Sequence, residues 1–228
     1  MTRWTVPLAL AAALAAPAAA SAQLGLDDLD VRVTPRAGLM TPADWFYQEF
    51  LHFGLAPLEW TEASVLRATV VGLSVEVEIP GTGVWIRGEA LRTVDGMTSM
   101  THSVLLEASG YEPPRVERTP YRVATAVTTG SLDLAFPMQL RIGPVQPYVT
   151  AGVGGKRYSF DTEPFMAFAD RVVLPRSGTV PMANVGVGAV VRVLGVDVDV
   201  QVRDAMSEYW GRLQHDVMVL GGVAWQLF

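Results

Sequence analysis

Residues 196–203 read Val196-Asp197-Val198-Asp199-Val200-Gln201-Val202-Arg203, with valine at every second position and a charged or amide residue between. A period of two places these two sets on opposite faces of one β-strand. The same alternation appears in Ser74-Val75-Glu76-Val77-Glu78-Ile79 and in Leu132, Leu134, Phe136, Met138, Leu140 and Ile142. It appears again in Val185, Val187, Ala189, Val191 and Val193. Each of these strands therefore has one apolar face.

Tight turn signals separate them at Pro80-Gly81-Thr82-Gly83, Gly143-Pro144 and Gly195. The other connections are longer, about 41–62, 95–119 and 161–177, with a short one near 211–214. In order, strands are expected near 30–40, 63–79, 84–94, 121–142, 145–160, 179–194, 196–210 and 215–228, with both chain termini at the short-turn end. An even number of alternating segments with short turns on one side and long loops on the other predicts an all-β fold. The expected form is an eight-stranded antiparallel up-and-down transmembrane β-barrel with short periplasmic turns and longer extracellular loops. Closure follows because an unpaired sheet edge in hydrocarbon leaves backbone groups unsatisfied.

The whole chain agrees with this class. Of 228 residues 50% are hydrophobic, at a mean hydropathy of +0.28, yet past residue 23 no apolar run reaches helical membrane-spanning length. With no cysteine, disulfides, thiolate metal sites and a lipidated cysteine are excluded. A net charge of −6 argues against nucleic acid, which needs a basic face. Arg3, the Ala/Leu stretch from Val6 to Ala20 and Ala20-Ser21-Ala22 predict a signal peptide over 1–22 and a barrel domain over 23–228. No appended periplasmic domain is expected.

Alternation does not say which face points inward. The minority face carries Arg32, Arg36, Glu76, Glu78, Arg87, Glu89, Asp133, Arg141, Lys156, Arg192, Asp197, Asp199 and Arg203. Such a face cannot border lipid, so these residues are expected inside. A narrow interior filled by nearly balanced charges predicts interlocked salt bridges and no large aqueous channel. Inward Gly152, Gly154, Gly186 and Gly188 are read as space for arginine side chains or for strand curvature.

The chain ends Val223-Ala224-Trp225-Gln226-Leu227-Phe228, and the segment from Gly143 to Gly154 contains Pro147-Tyr148 before a glycine-rich strand. In these stretches the sequence resembles the OmpA/OmpX/OmpW-like family of small outer-membrane β-barrels. The resemblance implies that Trp225 and Phe228 form a C-terminal signal read by the barrel-assembly machinery. It also implies a place in the outer membrane of a Gram-negative-type bacterium, among lipid and lipopolysaccharide. Phe228 is in phase with Gln226 and Ala224 rather than with Trp225, which requires a bulge near the terminus or a place for Phe228 beyond the last pair.

The first long connection holds Trp45, Phe46, Tyr47, Phe50, Phe53 and Trp60. It is read as an interfacial aromatic cap, with a short helix or flap contacting apolar solute as the alternative. Trp85, Trp210, Trp225, Tyr148, Tyr158 and Tyr209 are expected near strand ends or in the lumen. His102-Ser103 with Glu107 is the nearest approach to a catalytic set, but adjacent loop residues do not hold a nucleophile against its base. No enzyme activity, cofactor or metal is expected, since His52, His102 and His215 lack ligand spacing. The expected role is structural or surface-interacting, with a narrow channel for small or hydrophobic solutes as the runner-up and a soluble lipocalin-like binder as a third class. The polar 112–118 loop selects no extracellular partner.

Overall fold

A computed structural model describes residues 30–42, 46–53, 56–106, 113–138, 143–168, 172, 174–209 and 211–227. The proposed signal peptide, Trp45, Glu107, Arg141, Trp210 and Phe228 lie outside them. The strands are β1 Val31–Pro42, β2 Phe46–Phe53, β3 Ala56–Val65, β4 Ala68–Glu78, β5 Trp85–Thr93 and β6 Met97–Leu106. They continue with β7 Arg115–Pro137, β8 Val145–Asp161, β9 Gly178–Val193, β10 Val196–Tyr209 and β11 Arg212–Gln226. Every pairing is antiparallel.

Hydrogen-bonded neighbours run β1, β4, β5, β7, β8, β9, β10 and β11, and β11 pairs with β1 again. β2, β3 and β6 extend this arrangement through pairs β2–β3, β3–β6 and β6–β7. The register shows what the extra segments are. The β4–β5 ladder passes into the β3–β6 ladder with no shift, from Val70↔Thr93 to Val65↔Thr98. From β1–β4 to β2–β3 it slips one residue, Met40↔Ala68 against Phe46↔Ala63. The same slip separates β5–β7 from β6–β7, Arg92↔Thr128 against Met97↔Ala124. Such slips are β-bulges, which interrupt a ladder without ending the strand path.

The expectation of eight uninterrupted strands with long loops is thus corrected to eleven segments. Three expected strands continue past an interruption into a tall wall made of β2, β3, β6 and the first half of β7. Phe46, Tyr47, Phe50 and Phe53 fall on β2 and Trp60 on β3, so the described residues of this segment are strand rather than a cap loop or a short helix. Aromatic residues suit strands, and the hairpin simply prolongs β1 and β4. Of the expected loop 95–119, residues 97–106 and 115–119 are strand. Among the described residues the 161–177 connection keeps a non-strand path, with a 3-10 turn at Glu163–Phe168 packing Phe165 on Tyr121 at 5.6 Å between ring centroids.

One face of the ring is uniformly apolar. Every outward side chain is apolar or glycine from Val31 to Leu39 on β1, Val77 to Val71 on β4, Ile86 to Ala90 on β5 and Phe136 to Gly130 on β7. The same holds from Val145 to Gly155 on β8, Val193 to Pro181 on β9, Val196 to Val202 on β10 and Trp225 to Val217 on β11. Leu132, Leu134, Val185, Val187, Val200, Val219 and Trp225 are between 42% and 60% exposed. The opposite face is buried and divides into two layers. Near the short turns it carries Arg36, Glu76, Arg87, Glu89, Asp133, Asp199 and Arg203. Toward the long connections it carries Met40, Val70, Leu91, Val127, Met182, Ala205, Met218 and Leu220, joined by Ala63, Val65 and Met100 of the wall.

Candidate functional site: a buried ion network

The charged layer is assembled by strand register. Glu76↔Arg87↔Asp133 are direct neighbours across β4, β5 and β7, which brings opposite charges side by side on one face. Arg87 Nε contacts Glu76 Oε1 at 2.6 Å, and its Nη2 and Nη1 donate to Asp199 Oδ2 at 3.3 Å and Gln201 Oε1 at 3.0 Å. Arg36 Nη2 reaches Asp199 at 2.9 Å and Glu76 at 3.5 Å, while its Nε contacts Glu89 at 3.3 Å. Arg203 Nη1 contacts Glu89 at 2.5 Å and Asp133 at 3.5 Å. Three guanidinium forks therefore bridge four carboxylates, a task suited to the planar, many-donor arginine group.

Neutral groups complete the shell. Tyr148 donates to Asp199 at 2.6 Å, Asn184 to Asp133 at 2.8 Å, and Gln201 to Thr150 at 2.9 Å. Two inward glycines make the room. A Cβ on Gly188 would stand 2.4 Å from the Tyr148 ring, and one on Gly186 would stand 2.8 Å from Arg203 Cβ.

The expected charge set separates into three groups. Arg36, Glu76, Arg87, Glu89, Asp133, Asp199 and Arg203 form the buried network. Lys156 is held apart in the apolar layer, with Asp216 at 2.8 Å and the Ala205 carbonyl at 2.7 Å. Arg32, Glu78, Arg192 and Asp197 line a cavity of about 790 Å³ at the short-turn end, whose floor includes Arg87 and Tyr148. For Arg192 this corrects the buried placement. Its side chain is 67% exposed beside the Leu194-Gly195 turn, where it pairs with Asp197 at 2.7 Å. Arg32 is 3.7 Å from Glu76 and 4.5 Å from the Trp85 ring.

Reading charges alone missed Asp216, Gln201, Asn184 and Thr150. Gln201 was legible, because it continues the Asp197, Asp199 face. Asp216 was not, since it stands between His215 and Val217 on a strand whose next inward residues are the apolar Met218 and Leu220. Tyr148, Tyr158 and Tyr209 are buried in the interior, whereas Trp225 faces outward at 53% exposure. The β1–β11 register holds from Thr41↔Val217 to Arg32↔Gln226 without a shift, which removes a bulge there as the reason for the phase of Phe228.

His102 and Ser103 are consecutive on β6, so their side chains leave opposite faces, and His102 Nδ1 instead lies 3.2 Å from Thr61 Oγ1. Among the described residues no cluster of His, Cys, Asp and Glu could hold a metal ion. At the outer end of β5 the exposed Asp95 accepts from the Thr69 backbone N–H at 2.6 Å and its hydroxyl at 2.8 Å, which holds its carboxyl below the usual range.

No family model matches the chain, and no curated protein is similar to it. Among solved structures, the outer membrane protein OprG from Pseudomonas aeruginosa is similar over 87% of this chain and 95% of that one, with TM-score 0.51 and 13% identity. Neisserial surface protein A is similar over 86% and 95%, with TM-score 0.42 and 12% identity. The N-terminal β-barrel domain of Pseudomonas aeruginosa OprF is similar over 86% and 97%, with TM-score 0.39 and 12% identity. At 13% identity the likeness to OprG is one of fold. The chain shares the fold of the outer membrane protein OprG.

Proposed function

We propose that this protein is an outer-membrane barrel in which the eight ring strands close through the β11–β1 pair, exported by the segment 1–22 and inserted by the barrel-assembly machinery. Its role is structural or surface-interacting in the cell envelope, with its lumen closed by the arginine–carboxylate network. The carrying observation is the outer face. Eight neighbouring strands present no polar outward side chain over the intervals above, while the charges sit on the inner face. A soluble barrel has the reverse arrangement, because its apolar face forms the core. Lipid is the surrounding that such a face fits, and phosphate-rich outer-leaflet glycolipid is its expected neighbour.

The runner-up, a narrow channel for small or hydrophobic solutes, is favoured by the 790 Å³ vestibule at the short-turn end. Reconstitution separates the two readings. The refolded protein is expected to require detergent for extraction and to be electrically silent in planar bilayers. A steady selective conductance would make it a channel, and solubility without detergent would remove the membrane reading.

A further inference from the structure

We infer that the outer face carries a seat for the phosphorylated headgroup of an outer-leaflet glycolipid, built on Arg92 and Arg157; this rests on the membrane-barrel reading. Following each ring strand outward from the apolar band toward the long connections, the first polar outward side chain is Thr41, Thr69, Arg92, Thr128, Arg157, Thr179, Asp204 or His215. These eight residues mark the upper edge of the band, where hydrocarbon gives way to headgroups.

The edge is not uniform. On one side Asp204 and His215 satisfy each other at 2.7 Å. On the other, strand pairing sets Arg92↔Thr128↔Arg157↔Thr179 in one continuous row across β5, β7, β8 and β9. Two strand spacings put the arginine backbones about 10 Å apart, with a threonine hydroxyl between them. Two long guanidinium side chains can converge on one phosphate across that gap. Arg92 and Arg157 are both exposed, and among the described residues neither has an ion-pair partner.

Directly above the row lies a groove of about 580 Å³, bordered by Arg92, Gly96, Ala124, Ala126, Ser159 and Asp161. Gly96 lies so close to the Thr125 carbonyl that a Cβ would stand 2.2 Å from it. The carboxylates nearby are Asp161, at the far end of the groove, and Asp95, which is engaged by Thr69. The occupant that fits is a bulky, anionic headgroup whose acyl chains run down the apolar band beneath the two arginines, with charge-assisted hydrogen bonds to its phosphate.

The test uses the folded full chain in detergent micelles, with bisphosphorylated lipid A and chemically dephosphorylated lipid A as probes, and native mass spectrometry to count retained lipid. Phosphorylated lipid is expected to bind about tenfold more tightly than the dephosphorylated form, and R92Q/R157Q to abolish that preference. R118Q/R122Q, higher on the exposed wall, is expected to keep it. Equal binding of the two lipids, or an unchanged preference in R92Q/R157Q, overturns the inference. Flotation with phosphatidylcholine vesicles is run in parallel. A protein that does not float removes both readings, whereas one that floats without discriminating phosphate removes this one alone.

Discussion

The two layers of the interior solve the same filling problem with opposite chemistry. Near the short turns, Arg36, Arg87 and Arg203 interlock with Glu76, Glu89, Asp133 and Asp199. A few residues farther along the same strands, Met40, Leu91, Met218 and Leu220 form a mainly apolar layer in which the ion pair Lys156–Asp216 is embedded. The charged layer specifies its partners by geometry and is intolerant of losing one member, because the remainder stays buried and uncompensated. The apolar layer specifies only volume. If the lumen is closed as proposed, two unlike barriers stand in series, and opening one is not expected to open the path.

The largest effect is expected from Arg36→Ala, which strands Glu89 and Asp199 without one of their cations. A loss of about 3–5 kcal/mol is expected, read from denaturant unfolding in lipid vesicles. The variant should nevertheless remain electrically silent, because the apolar layer still blocks the path; a conducting variant would show that the charges alone close the lumen.

Next in size is Leu220→Ala in the apolar layer, expected to cost about 2–4 kcal/mol through lost burial and a residual cavity. Unlike Arg36→Ala, it should be substantially restored by a neighbouring enlargement such as Val70→Leu, which lies in the same row across Gly38. Failure of any such enlargement to restore stability would mean that this layer also depends on specific geometry.

The smallest effect belongs to Arg192→Ala. Its pair with Asp197 has good geometry, but it stands in solvent at the mouth, where screening and side-chain entropy cancel most of the attraction. The unfolding midpoint should stay where it is in the wild type. A shift as large as that of Arg36→Ala would place Arg192 in the network after all.

Much of this was legible in the sequence because β-structure with one buried face writes itself as a period of two. The ring strands β4, β5 and β8 to β11 fall close to the intervals read from alternation and turn residues. The wall did not, for a physical reason. Met97-Thr98-Ser99-Met100-Thr101-His102-Ser103 carries methionine and small polar residues on both faces, so no period appears although the segment is a strand. β2 and β3 were hidden by their concentration of aromatics, which suits an interfacial cap as well as a strand.

Local periodicity in the sequence was enough for the class of structure and the make-up of each alternating strand's two faces, and the charge on one of those faces was enough to name most inner residues. Which charges meet was decided by tertiary structure alone. Arg36 and Asp199 are 163 residues apart, and they come within 2.9 Å only because β11 pairs with both β1 and β10. The split between a charged and an apolar layer arose in the same way. Each strand contributes only a few inward residues to each layer, and no single segment contains enough of either to reveal it.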